Sequence, residues 1–150
     1  EDIQCNPLLI KTLMSAQYLP VIAPLGIDAE GTIYNINADI AASAVATALQ
    51  AEKLIYMSDV SGVAVNGEFI PSLTKAEAVH HIETGGITGG MIPKIQSAMD
   101  CIEHGVGQVR IMAGTTPHAL LEAIVLNSDL GTSLVPNHLD DDPMSDKGIQ

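Results

Sequence analysis

The stretch Lys53-Leu54-Ile55-Tyr56-Met57-Ser58-Asp59-Val60-Ser61-Gly62 decides how the chain is read. Its first half is a short apolar run of the length of a buried strand, too brief for a helix of ordinary size. Its second half is a polar cluster ending in glycine. A buried strand that opens into such a cluster is where open parallel sheets place their ligands. Upstream, residues 37–50 are alanine-rich and helical with Asn37 as the cap, and the alanines point to close packing on a sheet. Downstream, Asn66-Gly67 lies between apolar residues within 63–70, a hairpin signal, and Thr74-Lys75-Ala76-Glu77 matches a capping box opening a helix to about Glu83.

Farther out, the same punctuation continues. Residues 6–17 read as a short helix with Pro7 in its first turn. Residues 21–25 read as a buried strand, with a turn at 28–31 leading into 32–36 as a hairpin or corner. Gly85-Gly86-Ile87-Thr88-Gly89-Gly90 reads as exposed backbone, and a helix over 93–104 closes at Gly105 and Gly107. Residues 108–113 form a further strand, Thr115 and Thr116 before Pro117 start a helix to about Leu126, and 133–135 form a last edge strand. From Pro136 the chain is polar, with four acids and one lysine, and reads as a mobile tail. Alternating strands and helices predict a layered α/β fold without internal repeats.

Composition narrows the function. The 150 residues are 47% apolar, enough for the core of one domain, yet aromatics are 3% with no Trp, so the core is aliphatic. A net charge of −12 and a single arginine, Arg110, argue against a nucleic-acid footprint or a basic membrane surface. Cys5 and Cys101 are far apart and suggest neither a disulfide framework nor a zinc site, which fits a reducing cytoplasm. No apolar run has the length of a membrane span, no secretory signal is visible, and a first residue other than Met points to a processing product or, better, to a cut inside a longer polypeptide.

Polar groups concentrate at Asn35-Ile36-Asn37-Ala38-Asp39, at Ser58 to Gly62, and at Gly85 to Lys94. Asp39 lies in the first turn of a helix, where compensation of the helix dipole accounts for an isolated acid. Lys94 is different: a cation at a helix start opposes the dipole, and an anionic ligand explains it better. The other lysines, Lys11, Lys53, Lys75 and Lys147, fall at plain helix, strand or tail positions. Glycines beside Lys94 let backbone N–H groups approach a nucleotide, though no Walker signature is present. His80 and His81 are neighbours rather than an i, i+4 metal pair, and no G-x-S-x-G elbow supports a serine hydrolase.

The motifs P-V-I-A-P-L-G at 20–26, N-I-N-A-D at 35–39, S-D-V-S-G-V at 58–63, G-G-I-T-G-G-M-I-P-K at 85–94 and A-G-T at 113–115 together resemble the amino acid kinase family, in the carboxyl-terminal half of its acetylglutamate kinase branch. The resemblance implies a three-layer αβα sandwich with a mainly parallel sheet and β-hairpins. It implies a nucleotide-binding lobe over 1–135 and an acidic tail over 136–150, with the amino-terminal acceptor-binding lobe absent. That lobe carries a second catalytic lysine on a glycine-rich loop and an acceptor-clamping arginine in the family; nothing here corresponds to either.

The implied activity is transfer of the γ-phosphoryl group of ATP, held with Mg²⁺, to the side-chain carboxylate of N-acetyl-L-glutamate in arginine biosynthesis. By the same resemblance Asn35 binds the acceptor, Asp39 orients the catalytic lysines and Lys94 stabilises the transferring phosphoryl group. ATP falls to Asp59, Val60, Ser61, Gly62 and Val63 and to Gly86, Ile87, Thr88, Gly90 and Met91, with no protein metal site. The full-length protein is expected to be a cytoplasmic homo-oligomer without nucleic-acid or membrane partners. The alternatives are another amino acid kinase, acting on glutamate, aspartate, carbamate or UMP, and a non-catalytic, arginine-sensing kinase-like module.

Overall fold

The computed structural model describes residues 3–126 and 129–136. In chain order the elements are α1 (Leu8–Ser15), β1 (Leu25–Ile27), β2 (Ile33–Asn35), α2 (Ala38–Leu49), β3 (Lys53–Ser58), β4 (Val63–Val65) and β5 (Glu68–Ile70). There follow β6 (Ser72–Thr74), α3 (Lys75–Glu83), α4 (Met91–Glu103), β7 (Gln108–Ala113), α5 (Ala119–Ile124) and β8 (Thr132–Val135). The central sheet runs β3-β7-β8-β6, with β3 parallel to β7, β8 parallel to β6, and β7 antiparallel to β8. Two hairpins, β1-β2 and β4-β5, stand outside it. The result is the mixed α/β architecture that strand and helix alternation predicts, with the mainly parallel sheet that the resemblance implies.

Strand β7 is buried on both faces from Val109 to Met112, and Arg110, the one charged residue of that run, donates from Nε to Ser133 Oγ of β8 at 3.2 Å. Val109 and Ile111 join Tyr56 of β3 beneath α2, α3 and α4, while Met112 turns to the opposite face against Ala119 and Ala123 of α5, with Ile55 beside it. The sheet therefore lies between two helical layers. Ala46 and Ala98 are buried where α2 and α4 flank the sheet, small side chains that let helix backbones come close. The two helix-to-strand connections are tied together: Gly107 N–H donates to the Ala51 carbonyl at 3.1 Å, and Gln50 Nε2 donates to the His104 carbonyl at 2.8 Å.

Local signals hold where the chemistry is local. Asn66 and Gly67 take φ of 52° and 87°, the left-handed pair a two-residue hairpin needs. The capping box forms: Thr74 Oγ1 accepts from the Glu77 N–H at 3.3 Å, and Glu77 Oε2 accepts from the Thr74 N–H at 2.8 Å. That backbone hydrogen bond from Thr74 holds the Glu77 carboxyl below its ordinary 4.5.

Several expectations are corrected. Residues 21–25 are not a buried strand: β1 begins only at Leu25, pairs with β2 alone, and Val21 is 93% exposed, because nothing in the described residues covers that apolar run. β8 is not an edge strand; hydrogen-bonded neighbours on both sides make it central and buried. Gly85 to Gly90 is not all exposed backbone, since Ile87 is a core residue. The chain also makes a strand at β6, which the capping-box reading passed over. α4 starts at Met91 rather than Pro93, and α5 is confined to Ala119–Ile124. The acidic-tail reading, from Asn137 onward, lies outside the described residues.

Gly131, at φ 79°, feeds β8 into the sheet where a Cβ would overlap the Ile111 carbonyl oxygen and crowd Met112. Gly131→Ala is expected to destabilise by roughly 3 kcal/mol or more, strain and overpacking combined. Gly67→Ala, also at positive φ but in open surroundings, should cost about 1 kcal/mol. Urea denaturation midpoints measure both, and equal losses would contradict the packing argument. Because Glu77 is held below its unfolded value, its contribution is present above about pH 4.5 and disappears as pH falls through the folded value. Glu77→Gln should therefore cost about 0.5 kcal/mol at pH 7 and nothing at strongly acidic pH, read from stability against pH.

Candidate active site

Both α2 and α4 pack back along the strands they precede, β3 and β7, so the amino ends of both helices lie at the carboxyl ends of those strands. Parallel pairing brings the two strand ends level, Ser58 opposite Ala113. One edge of the sheet thus gathers two helix starts and two polar turns, the crevice position typical of open α/β folds.

At the start of α2, Asn37 caps the helix by accepting the N–H of Asp39 at 2.9 Å and of Ile40 at 3.3 Å. Asp39 projects from this first turn, where the positive end of the dipole favours a carboxylate. Lys94, one turn into α4, donates from Nζ to Asp39 Oδ2 at 2.6 Å. Its ammonium lies 5.0 Å from the centre of the Tyr56 ring, and its side chain is only 16% exposed. A lysine near a helix start gains nothing from that helix, so Asp39 and the aromatic face supply the compensation. The carboxylate is the more open partner, at 39% exposed, which leaves one side of the pair accessible. Asn35 ends β2 two residues before the cap and is exposed.

The two glycine-containing turns flank this edge and are joined through the β4-β5 hairpin, because the Asn66 N–H donates to the Gly86 carbonyl at 2.9 Å. Asp59, Val60, Ser61, Thr88 and Gly90 are exposed, and Gly62, Gly86 and Met91 are half-buried. Val63 and Ile87 are core residues, and their N–H groups are already committed, to Thr132 Oγ1 at 2.8 Å and to the His81 carbonyl at 3.0 Å. These two can shape a site and cannot donate to a ligand. Asp59 Oδ1 accepts from the Ser58 hydroxyl at 3.1 Å.

A cavity of about 270 Å³ opens beside Ser61, lined also by Phe69, Met112, Ala113, Thr116 and Leu130. Apart from Ser61, none of these was singled out from sequence as a site residue. They come from four separate segments with no common spacing, and the only sequence signal near them is the A-G-T motif at 113–115. Three hydroxyls beneath the ion pair, on Ser43, Tyr56 and Ser97, were likewise missed, each being unremarkable on its own helix or strand. Among the described residues, no three of His, Cys, Asp and Glu converge as a metal site.

This sheet edge of an α/β fold presents a pair of glycine turns, a cavity and a carboxylate-held lysine. A sequence model of the Amino acid kinase family matches residues 2–113, and the chain belongs to that family. It is 48% identical over 148 residues to an acetylglutamate kinase of Chlorobaculum tepidum, a match covering 99% of this chain and 52% of that protein. The chain thus spans about half the length of the curated relatives it matches. Among solved structures it is similar to N-acetylglutamate synthase from Neisseria gonorrhoeae, complexed with coenzyme A and L-arginine, with a TM-score of 0.79 and 28% identity over 87% of this chain and 30% of that one. Carbamate kinase from Giardia lamblia shares the fold, with a TM-score of 0.64 and 21% identity over 86% of this chain and 48% of that one.

Proposed function

We propose that this chain is the nucleotide-binding half of an acetylglutamate kinase, transferring the γ-phosphoryl group of ATP to the side-chain carboxylate of N-acetyl-L-glutamate in cytoplasmic arginine biosynthesis. The observation that carries the reading is the 2.6 Å contact between Lys94 Nζ and Asp39 Oδ2 at the ligand-facing edge. The high identity to acetylglutamate kinases across almost the whole chain supports the choice of acceptor.

The acceptor carboxylate is ionised at neutral pH, so its oxygen attacks phosphorus without a general base. That frees Asp39 from proton transfer and leaves it to aim Lys94. Lys94 neutralises negative charge on the phosphoryl oxygens as the bond to the β,γ-bridging oxygen breaks and ADP departs with that electron pair. Asn35 holds the acceptor's main-chain end. The cavity beside Ser61, with the turns at Asp59 to Val63 and at Gly86 to Met91, suits the adenosine of the nucleotide. Mg²⁺, carried on those phosphates, supplies further charge neutralisation.

The remaining half of such a kinase has a surface ready for it. Leu19, Val21, Leu25, Ile27 and Ile33 are all more than half exposed, and Met14, Tyr18, Val45 and Leu49 line an apolar trough of about 460 Å³ between α1 and α2. Exposed apolar side chains in this number mark an interaction surface. We assign it to an amino-terminal lobe that brings the second lysine and the acceptor-clamping arginine, and through which the full protein oligomerises. The likeness to the synthase favours a second reading, an arginine-sensing module without catalysis. The Asp39–Lys94 pair weighs against it, since a sensor has no use for a charge-stabilising lysine.

In the complete polypeptide carrying these residues, Lys94→Ala should lower kcat by roughly two to three orders of magnitude with little change in ATP affinity. Near-normal turnover would refute the assignment. Asn35→Ala should raise the acceptor KM by about tenfold, the loss of one hydrogen bond to a charged ligand, with kcat largely retained. Assays with acetylglutamate, glutamate, aspartate, carbamate and UMP decide the acceptor. The 150-residue chain alone should release no ADP in response to acetylglutamate.

A further inference from the structure

One turn below the ion pair, each helix presents a serine to the other: Ser43 four residues after Asp39 on α2, and Ser97 three residues after Lys94 on α4. Their hydroxyl oxygens are 2.7 Å apart. Tyr56 rises from β3 between the helices, its OH 2.6 Å from Ser43 Oγ and its ring under the Lys94 ammonium. Proton accounting fixes the pattern. Ser43 has one proton and gives it to the Asp39 carbonyl at 2.8 Å, so its two lone pairs receive the protons of Tyr56 and Ser97. Ser43 is then a fully used hub. Burial pushes the Tyr56 phenol above its ordinary 10.0, so it keeps the proton this arrangement requires.

Packing alone does not call for this cluster. The neighbouring residues Ala42, Ala46 and Ala98 are aliphatic, and alanine would fit at either serine. Aliphatic contacts tolerate sliding, whereas hydroxyl pairs hold only over a narrow range of distance and angle. The cluster also bonds the carbonyl of Asp39 itself and carries the ring on which Lys94 rests. We propose that Ser43, Ser97 and Tyr56 are positioning residues that fix the spacing of α2 and α4 and thereby the reach of Lys94. The inference rests on the phosphoryl-transfer reading of Lys94.

The test is a double-mutant cycle in the complete polypeptide, with single-turnover transfer from labelled ATP, KM values and thermal midpoints measured together. Ser43→Ala and Tyr56→Phe should each lower kcat roughly tenfold or more, the scale of a small misplacement, with both KM values within about twofold. In the Lys94→Ala background the same changes should cost almost nothing further, because they act through that lysine. Should Ser43→Ala unfold, Tyr56→Phe, which keeps the ring, carries the cycle with Ser97→Ala. A parent without acetylglutamate-dependent transfer overturns the kinase reading and this inference with it. An active parent whose variants keep their kcat, or lose as much without Lys94 as with it, overturns the positioning role alone.

Discussion

The parallel pairing of β3 with β7 is the constraint on which the rest of the structure depends. Each strand is preceded by a helix that packs back along it, so setting the strands side by side in register sets α2 beside α4 with their amino ends together. Asp39 and Lys94, 55 residues apart in sequence, meet for that reason. The same register brings the polar turns after Ser58 and Ala113 level. The contacts between the two connections, at Gly107 with Ala51 and at Gln50 with His104, fasten the opposite ends of the helices and keep the arrangement from shearing.

The electrostatics follow from scarcity. A chain with net charge −12 and six basic residues has no diffuse positive field with which to attract a polyphosphate. Positive charge at the sheet edge is local, coming from the largely buried Lys94 and from backbone dipoles at helix starts. Asp39 serves this economy in two ways: it compensates the Lys94 ammonium where α4 does not, and it is itself favoured by the dipole of α2. The pair is thus supported by one helix and by the Tyr56 ring rather than by bulk charge.

Much of this was legible in the sequence where the cause was local. The Asn37 cap, the Asn66-Gly67 turn and the Thr74–Glu77 capping box are interactions among residues a few positions apart, and all three formed as read. β3 and β7 were legible because each carries a short run dominated by apolar residues, Leu54 to Met57 in one and Val109 to Ala113 in the other, interrupted only by Arg110. The run at 21–25 shows the limit of that signal: apolar character says a segment seeks cover and not which segment supplies it. The central place of β8 comes from its partners β7 and β6, which are distant in sequence, and no local cue in residues 132–135 shows it. Of the candidate site, Asp39, Lys94 and the glycine turns were legible. The cavity wall and the hydroxyl cluster were not, since Phe69, Met112 and Thr116, or Ser43, Tyr56 and Ser97, share no spacing.

The sequence by itself determined the α/β class, most element positions, the aliphatic core and the three polar motifs, because propensity, capping and burial periodicity act over a single turn or strand. Only the tertiary structure decided that Asp39 grips Lys94, that Val63 and Ile87 donate their N–H groups within the protein, that β8 is central, and that one apolar face is left uncovered by the described residues. Those outcomes depend on strand order and register, which are set by which distant surfaces fit together, and no local stretch of chain encodes them.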